Sequence, residues 1–469
     1  MMSPVTVKKE DLARNRNTRG LTNLLEPATN YPDIWEGGLW RPADIARIEM
    51  TASRALLQMG AKFRQRYLRN FYEFGKANLA ANPNDPQAFI VTAGQPNAET
   101  IARMLEILTT QGMEVYQMTR ELHVANAKDS NQFHDVPLGS FLIFVNQPQK
   151  NNVLSLFEKQ VYPHRLLPNG DAEAPYDVAG WTLPMQMGVE YETAWQIKDL
   201  EKDRGTLKKV EHINQVRATL NLDQTGTAFA KKPNPLKTNP RIGLYKGFTG
   251  SMDEGWTRLV LDTFQIRYRS VSDADMRSGN LDLDAIILPA DSEVTIVNGL
   301  SVERYPAEFT GGIGDAGVAN LKKFVDGGGK LICFDDSCEM VIKRFGLPMK
   351  NVLAGMRRNE FYNPGSIVKL DVDTTQPLAR GLRNETAAYF TSSSAFDITD
   401  AATVKTIARY AGKDALLSGW MLGEKYLNGK TALAEASYGK GKIVLFAFRP
   451  QHRGQSWGTF PFIFNSLER

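Results

Sequence analysis

The chain is short of cysteine and histidine. Of its 469 residues only Cys333 and Cys338 are cysteines, which excludes a disulfide framework and a four-cysteine zinc site. So small a number leaves the redox compartment open. The five histidines, His123, His134, His164, His212 and His452, start no H-x-x-E, H-x-H or H-E-x-x-H string, so the sequence offers no metal site of its own. Excess charge is small as well. Lys and Arg number 56 against 52 Asp and Glu, a net of +4, too little at this length to argue for nucleic acid or an anionic membrane as partner. No run reaches the ~18 consecutive apolar residues of a membrane span. The opening stretch Met1–Asp11 (MMSPVTVKKED) lacks the apolar core of a secretory signal. With 42% hydrophobic and 23% charged residues, what remains is the composition of an ordinary globular protein. The length sets a prior of about three domains.

Periodicity then divides the chain. Ile45, Ile48, Ala52, Leu56, Met59, Phe63, Tyr67, Phe71 and Phe74 recur at steps of three and four. That spacing predicts one helix over 42–80, about 58 Å long, with Pro42 in its first turn and a kink at Gly60. Its run of Arg54, Lys62, Arg64, Arg66 and Arg69 reads as a solvated face. Residues 87–165 read as a small α/β unit: strands at Ala88–Val91, Glu114–Met118 and Ser140–Asn146, a helix at Ala98–Gln111, and parallel pairing from the alternation. Residues 166–239 read as a linker or irregular segment. Residues 240–469 read as a doubly wound, flavodoxin-like α/β domain. Its strands are Ile242–Tyr245, Ala285–Leu288 and Lys330–Phe334, followed by a β-rich end whose hairpin turns at Tyr438–Lys442. Ser251 with Glu254 predicts a capping box, and Asp315 a helix cap.

Four places in this last domain invite chemistry. Gly312-Ile313-Gly314-Asp315-Ala316-Gly317 matches the G-x-G-x-x-G of dinucleotide sites, with Asp335 about 20 residues on. Yet no strand feeds the glycines, and Asp315 would meet the pyrophosphate. A loop is the favoured reading. Gly327-Gly328-Gly329-Lys330 lies between helix and strand, the reverse of a phosphate loop, and predicts a helix C-terminal turn. Cys338 sits at a helix start, where a thiol is acidified, beside two carboxylates that oppose this. Helix packing is favoured over a nucleophile. His452 follows a strand and reads as a loop anchor before a catalytic base.

Three strings carry a resemblance: Tyr176–Pro184 (YDVAGWTLP), Tyr245–Arg258 (YKGFTGSMDEGWTR) and Phe448–Gln455 (FRPQHRGQ). Together they resemble the C-terminal part of bacterial zinc carboxypeptidase-like proteins of the carboxypeptidase A superfamily. These end in a class I glutamine amidotransferase-like domain. The resemblance runs from about Arg19 onward. It implies hydrolysis of C-terminal peptide bonds by the full-length protein, a zinc cofactor, peptide substrates and a secreted or periplasmic location. Gly20–Thr29 resembles the segment around the family's general base, which would make Glu26 that base and residues 1–81 the tail of the peptidase domain. The family's zinc ligands have no counterpart in the 469 residues and are expected upstream of Met1. At the nucleophile position of the amidotransferase-like domain stands Asp335, not Cys, which speaks against glutaminase chemistry. The alternative is a non-catalytic module holding a peptide, glycan or protein partner at the strand ends. A hydrolase built on Cys338 and His452 is a further rival. With no ligand set in the sequence, metal analysis of the purified chain is expected to find no stoichiometric zinc. About one tightly held zinc per chain would overturn that.

Overall fold

The computed structural model describes residues 4–14, 24–27, 29, 31–167, 170–224, 226–227 and 230–468. The chain divides into two units, Met1–Ala77 and Asn78–Arg469. In the first, Val5–Val7 pairs antiparallel with Gly38–Trp40. The helical stripe forms two consecutive helices, Pro42–Lys62 and Arg64–Leu79. The irregularity falls at Phe63 (φ −109°, ψ 21°) and not at Gly60. The helical ladder still crosses it: Phe63 N–H donates to Met59 O at 2.9 Å and Tyr67 N–H to Phe63 O at 3.0 Å. Pro42 opens the helix as expected, where its missing N–H is harmless. Of the segment Gly20–Thr29, residues 20–23 and 28 lie outside the described residues, and Leu24 and Leu25 form a turn. Among the described residues no helix is long and apolar enough to cross a membrane.

The second unit holds two main sheets. One has five strands in the order Leu207–Lys209, Tyr116–Met118, Phe141–Phe144, Ala88–Val91, Tyr191–Ala194, each pair antiparallel. Parallel pairing was the expectation from the strand–helix–strand alternation, and the register corrects it. Ala88–Val91 and Tyr116–Met118 do run the same way, but Phe141–Phe144 inserts between them antiparallel to both. The amphipathic helix Ala98–Thr110 buries the expected Ile101, Met104, Leu105 and Leu108. Residues 166–239, expected as a linker, supply two of these five strands as well as the helices Leu183–Met187 and Ile213–Thr219.

The other sheet contains five parallel strands in the order Arg269–Val271, Ile242–Tyr245, Ala285–Leu288, Lys330–Phe334, Gly441–Phe446. Counted along the chain this is 2-1-3-4-5, the flavodoxin-like doubly wound order. All four residues of Ala285–Leu288 are buried, as a strand covered on both faces must be. Antiparallel strands Thr431–Tyr438, Val404–Tyr410, Ser366–Val372 and Glu385–Phe390 extend the sheet beyond Gly441–Phe446. The hairpin joining Tyr438 to Gly441 turns on Gly439, whose φ of +54° suits a two-residue hairpin loop. Ser251 Oγ accepts from Glu254 N–H at 3.3 Å and caps the helix Met252–Thr263.

One apolar core runs from Phe89 to Leu467 and serves both sheets. Polar stitching reinforces it. Buried Gln160 Oε1 accepts from Trp181 N–H (2.9 Å), Thr182 Oγ1 (2.9 Å) and Ser418 Oγ (2.8 Å). Ala179 and Gly180 N–H donate to Gly365 O at 2.8 and 3.0 Å. Gly180 is required there, because a Cβ would lie 2.3 Å from Ser418 O. Gln160→Ala removes the acceptor shared by Trp181 N–H, Thr182 Oγ1 and Ser418 Oγ, of which Thr182 Oγ1 keeps Glu158 O at 2.8 Å, and is expected to destabilise the second unit by about 1–3 kcal/mol in urea unfolding. A change under about 0.5 kcal/mol would mean the stitching contributes little.

Candidate functional site

The C-terminal ends of the five parallel strands carry the chemistry of the second unit. Asp335 follows Lys330–Phe334 directly and precedes the helix Ser337–Phe345. Its φ is +49°, a left-handed conformation that is rare outside glycine and that defines a strand–turn–helix elbow. The backbone is held there by Asp335 N–H donating to Phe446 O at 2.7 Å. The side chain is 0% exposed. Its Oδ2 accepts from Arg449 Nε (2.9 Å) and Ser393 Oγ (2.8 Å), while Oδ1 has no hydrogen-bond partner.

Arg449 lies in the segment after Gly441–Phe446 and faces three carboxylates. Besides Asp335, its Nε is 3.7 Å from Asp253 Oδ1 and its Nη2 is 3.6 Å from Asp336 Oδ2. One cation thus serves two buried carboxyls, Asp335 and Asp253, as well as the half-exposed Asp336. Burial pushes the Asp335 carboxyl well up, aided by Asp336 and Asp253 and opposed by Arg449 and Ser393. Burial also lifts Asp253 to about 6, against the pull of Arg449 and with help from Asp336 and Asp291. Asp291 and Asp273, which follow the third and second strands, are raised mainly by burial. Asp273 accepts from Tyr245 Oη at 2.8 Å. Burial lowers the Arg449 guanidinium, but the three carboxylates outweigh it and the net shift is upward.

His452 packs flat on Tyr389 (ring centroids 3.8 Å, 8° between planes) and edge-on to Trp256 at 5.2 Å. Burial first, then Arg453 and Arg449, lowers its pKa to about 3, so it is neutral at physiological pH. It anchors its loop by ring packing and not by a side-chain hydrogen bond, since its Nδ1 has no hydrogen-bond partner. Gln451 Nε2 donates to Thr257 Oγ1 at 3.2 Å, and Arg453 pairs with Asp177 at 2.6 Å. The three strings that carried the family resemblance therefore converge. Tyr176–Pro184 reaches Phe448–Gln455 through Asp177, and Tyr245–Arg258 reaches it through Asp253, Trp256 and Thr257.

The remaining expected features fall elsewhere. Cys338 is fully buried, its Sγ–H aimed at Cys333 O (3.4 Å) and Phe446 O (3.2 Å), and burial pushes the thiol well up. It packs the helix and is no nucleophile. Asp315 does not cap its helix: Ile313 holds the cap position of Gly314–Asp326, and the exposed Asp315 pairs with Arg344 at 3.2 Å. Gly312 and Gly317 are packing glycines, since a Cβ would strike Ile296 O at 2.3 Å and Ile313 Cβ at 2.6 Å respectively. Gly327–Gly329 closes that helix and lines an open depression of about 800 Å³ at the opposite, N-terminal end of the parallel strands. Glu26 is exposed at a bend in the first unit. Among the described residues no group of three or more His, Cys, Asp or Glu could hold a metal ion. Sequence reasoning quoted Arg449 and Asp253 without giving them a role and passed over Ser393 and Tyr389. The signal available for the first two was their position just past the first and last parallel strands.

No known family model matches the chain, and no curated protein matches it. Solved structures that it is similar to include a cytoplasmic protein from Salmonella typhimurium (11% identity, 48% of this chain and 97% of that one, TM-score 0.31). A ThuA-like protein from Bacteroides uniformis gives 11% identity over 51% of this chain and 93% of its own, with TM-score 0.31. PurLQS from Thermotoga maritima gives 16% over 49% and 100%, with TM-score 0.32. These scores are low, and the fold class rests on the 2-1-3-4-5 strand order itself.

The acid cluster makes a stability prediction. Unfolded, Asp253 titrates near its ordinary 3.8; folded, it titrates at about 6. Between those values the folded state holds the extra proton, so stability falls as pH rises from 4 to 6 and returns in acid. Asp253→Asn is expected to stabilise the protein by about 1–3 kcal/mol near pH 7.5 and to change little near pH 4, at ~1.4 kcal/mol per pK unit. Equal effects at the two pH values in urea unfolding would contradict the assignment.

Proposed function

We propose that residues 78–469 act as a ligand-binding module on an amidotransferase-like α/β frame, without glutaminase activity. The observation that carries this is Asp335. It occupies the elbow where a glutaminase needs a thiolate, it is 0% exposed, and it is tied to Arg449 and Ser393. A buried carboxyl in that position cannot attack an amide, and Cys338, one turn on, is sealed in the core. What the strand ends offer a ligand is acidic: Asp336, half exposed, with Asp253 behind it. Among the peptide, glycan and protein partners open to such a module, that charge favours a basic peptide.

The wider reading is that this module serves a zinc carboxypeptidase-like protein, secreted or periplasmic, that hydrolyses C-terminal peptide bonds with Glu26 as base. It is supported by the three strings and by Gly20–Thr29. The described residues give zinc no ligand set, so the chain alone is read as inactive.

Purified protein is expected to release no ammonia from glutamine and to bind Lys/Arg-rich peptides in calorimetry. Binding should weaken about tenfold in Asp336→Asn and fall as pH drops below about 6, where Asp253 takes up a proton. Ammonia release at enzymatic rates would overturn the module reading. Peptide binding indifferent to Asp336→Asn would remove the strand ends as its seat.

A further inference from the structure

We propose that the Pro42–Leu79 helix is a self-association arm, and that two copies of the chain pair along it antiparallel, with the two-fold axis at Met59 and Gly60. This inference stands apart from the strand-end site and rests on the stripe Ile45–Phe74, which lies within the first unit.

The starting observation is an apolar stripe that is exposed among the described residues. Of the residues in the two helical segments only Asp44 is buried. Leu56 is 74% exposed, Phe71 82% and Phe74 67%. Exposed apolar area of this extent on a regular helix marks an interaction surface. Two hydrogen bonds bridge the irregularity at Phe63, so the stripe continues from the first helix into the second, with a contour of about 44 Å from Ile45 to Phe74 at 1.5 Å per residue.

The order of residues along the stripe identifies the occupant as a second copy. Run one helix forward and the other backward, and every layer of the stripe finds an apolar or small partner. Ile45 meets Phe74, Ile48 meets Phe71, Ala52 meets Tyr67, Leu56 meets Phe63, and Met59 meets Gly60. Aliphatic and small residues of the first half face aromatic residues of the second, so large and small alternate across the seam as interdigitated layers require. A parallel pair would set Phe71 on Phe71 and Ala52 on Ala52, with layers of unequal volume.

Charge agrees. Residues 42–61 carry Asp44 and Glu49 against Arg47 and Arg54, a balance of zero. Residues 62–79 carry Lys62, Arg64, Arg66, Arg69 and Lys76 against Glu73, five cations to one anion, or +4. Parallel pairing would oppose two +4 segments, while antiparallel pairing lays each beside the neutral half, where Glu49 is exposed and Asp44 is already paired with Arg41 and Arg47. Gly60 supplies the close approach. Glycine inside a helix costs roughly 1 kcal/mol relative to Ala, yet a Cβ there would meet nothing within 4 Å of this chain. Its own fold does not need it, and a second backbone crossing at that point does. The area is sufficient. Ile48, Leu56, Met59, Tyr67, Phe71 and Phe74 are 47–82% exposed. With ~150–250 Å² for a large side chain they offer about 700 Å² per copy, close to the ~800 Å² per partner of a standard interface.

The test uses the full chain. Sedimentation equilibrium from about 1 to 100 µM should show a monomer–dimer equilibrium. Phe71→Glu and Leu56→Glu should each move its midpoint at least ~100-fold toward monomer with unchanged circular dichroism, because the isologous seam contains each change twice. Orientation is read by cross-linking, which the native thiols do not confuse since Cys333 and Cys338 are buried. Met59→Cys lies at the axis and should cross-link with a short bismaleimide. Ala52→Cys should not, because its two copies would stand about 22 Å apart along the seam. A monomer at ~100 µM overturns the proposal, and so does a dimer that survives both Glu substitutions. Cross-linking of Ala52→Cys would establish a parallel pair and overturn the register. A monomer that floats with anionic phospholipid vesicles would assign the stripe to a lipid surface instead.

Discussion

A single guanidinium organises the C-terminal edge of the parallel sheet. Arg449 bonds Asp335 at the end of the fourth parallel strand and faces Asp253 in the helix after the first and Asp336 at the cap of the helix after the fourth. Removing it would leave buried carboxylates without a counter-charge, the arrangement proteins tolerate least. The left-handed elbow at Asp335 depends on the same pair. A strained backbone residue persists only where its surroundings hold it, and here the surroundings are Arg449, Ser393 and the bond to Phe446 O. The left-handed strand–turn–helix elbow thus turns its side chain inward, onto Arg449 and Ser393.

The same economy of position explains why distant segments act together. Asp177, Asp253, Trp256 and His452 come from three separate stretches, and each meets the segment after the last parallel strand or lies in it. The ends of parallel strands are where loops from different crossovers must gather. The Gln160 stitching and the shared core bring the antiparallel sheet into the same unit, so that unit extends from Asn78 to Arg469. The first unit follows a different rule. Its helix buries almost nothing within the unit, so its apolar side chains are a surface and not a core.

The sequence by itself determined the local elements. Apolar runs such as Ala285–Leu288 and amphipathic runs such as Ala98–Thr110 have periods that admit one backbone shape. The alternation from Ile242 onward determined the doubly wound class, and Asp335 in place of Cys was legible at the elbow. Zinc, Glu26 and the peptidase activity came from resemblance and stand as proposals. What only the tertiary structure decided is adjacency. A strand's period says which face is buried but not which strand lies beside it, so the antiparallel insertion of Phe141–Phe144 and the strands inside 166–239 were invisible. Electrostatics is hidden for the same reason. The upward shift of Asp253 depends on burial and on Arg449, 196 positions along the chain but 3.7 Å away in space. The pull between two charges depends on their separation and shielding, neither of which is a property of sequence distance.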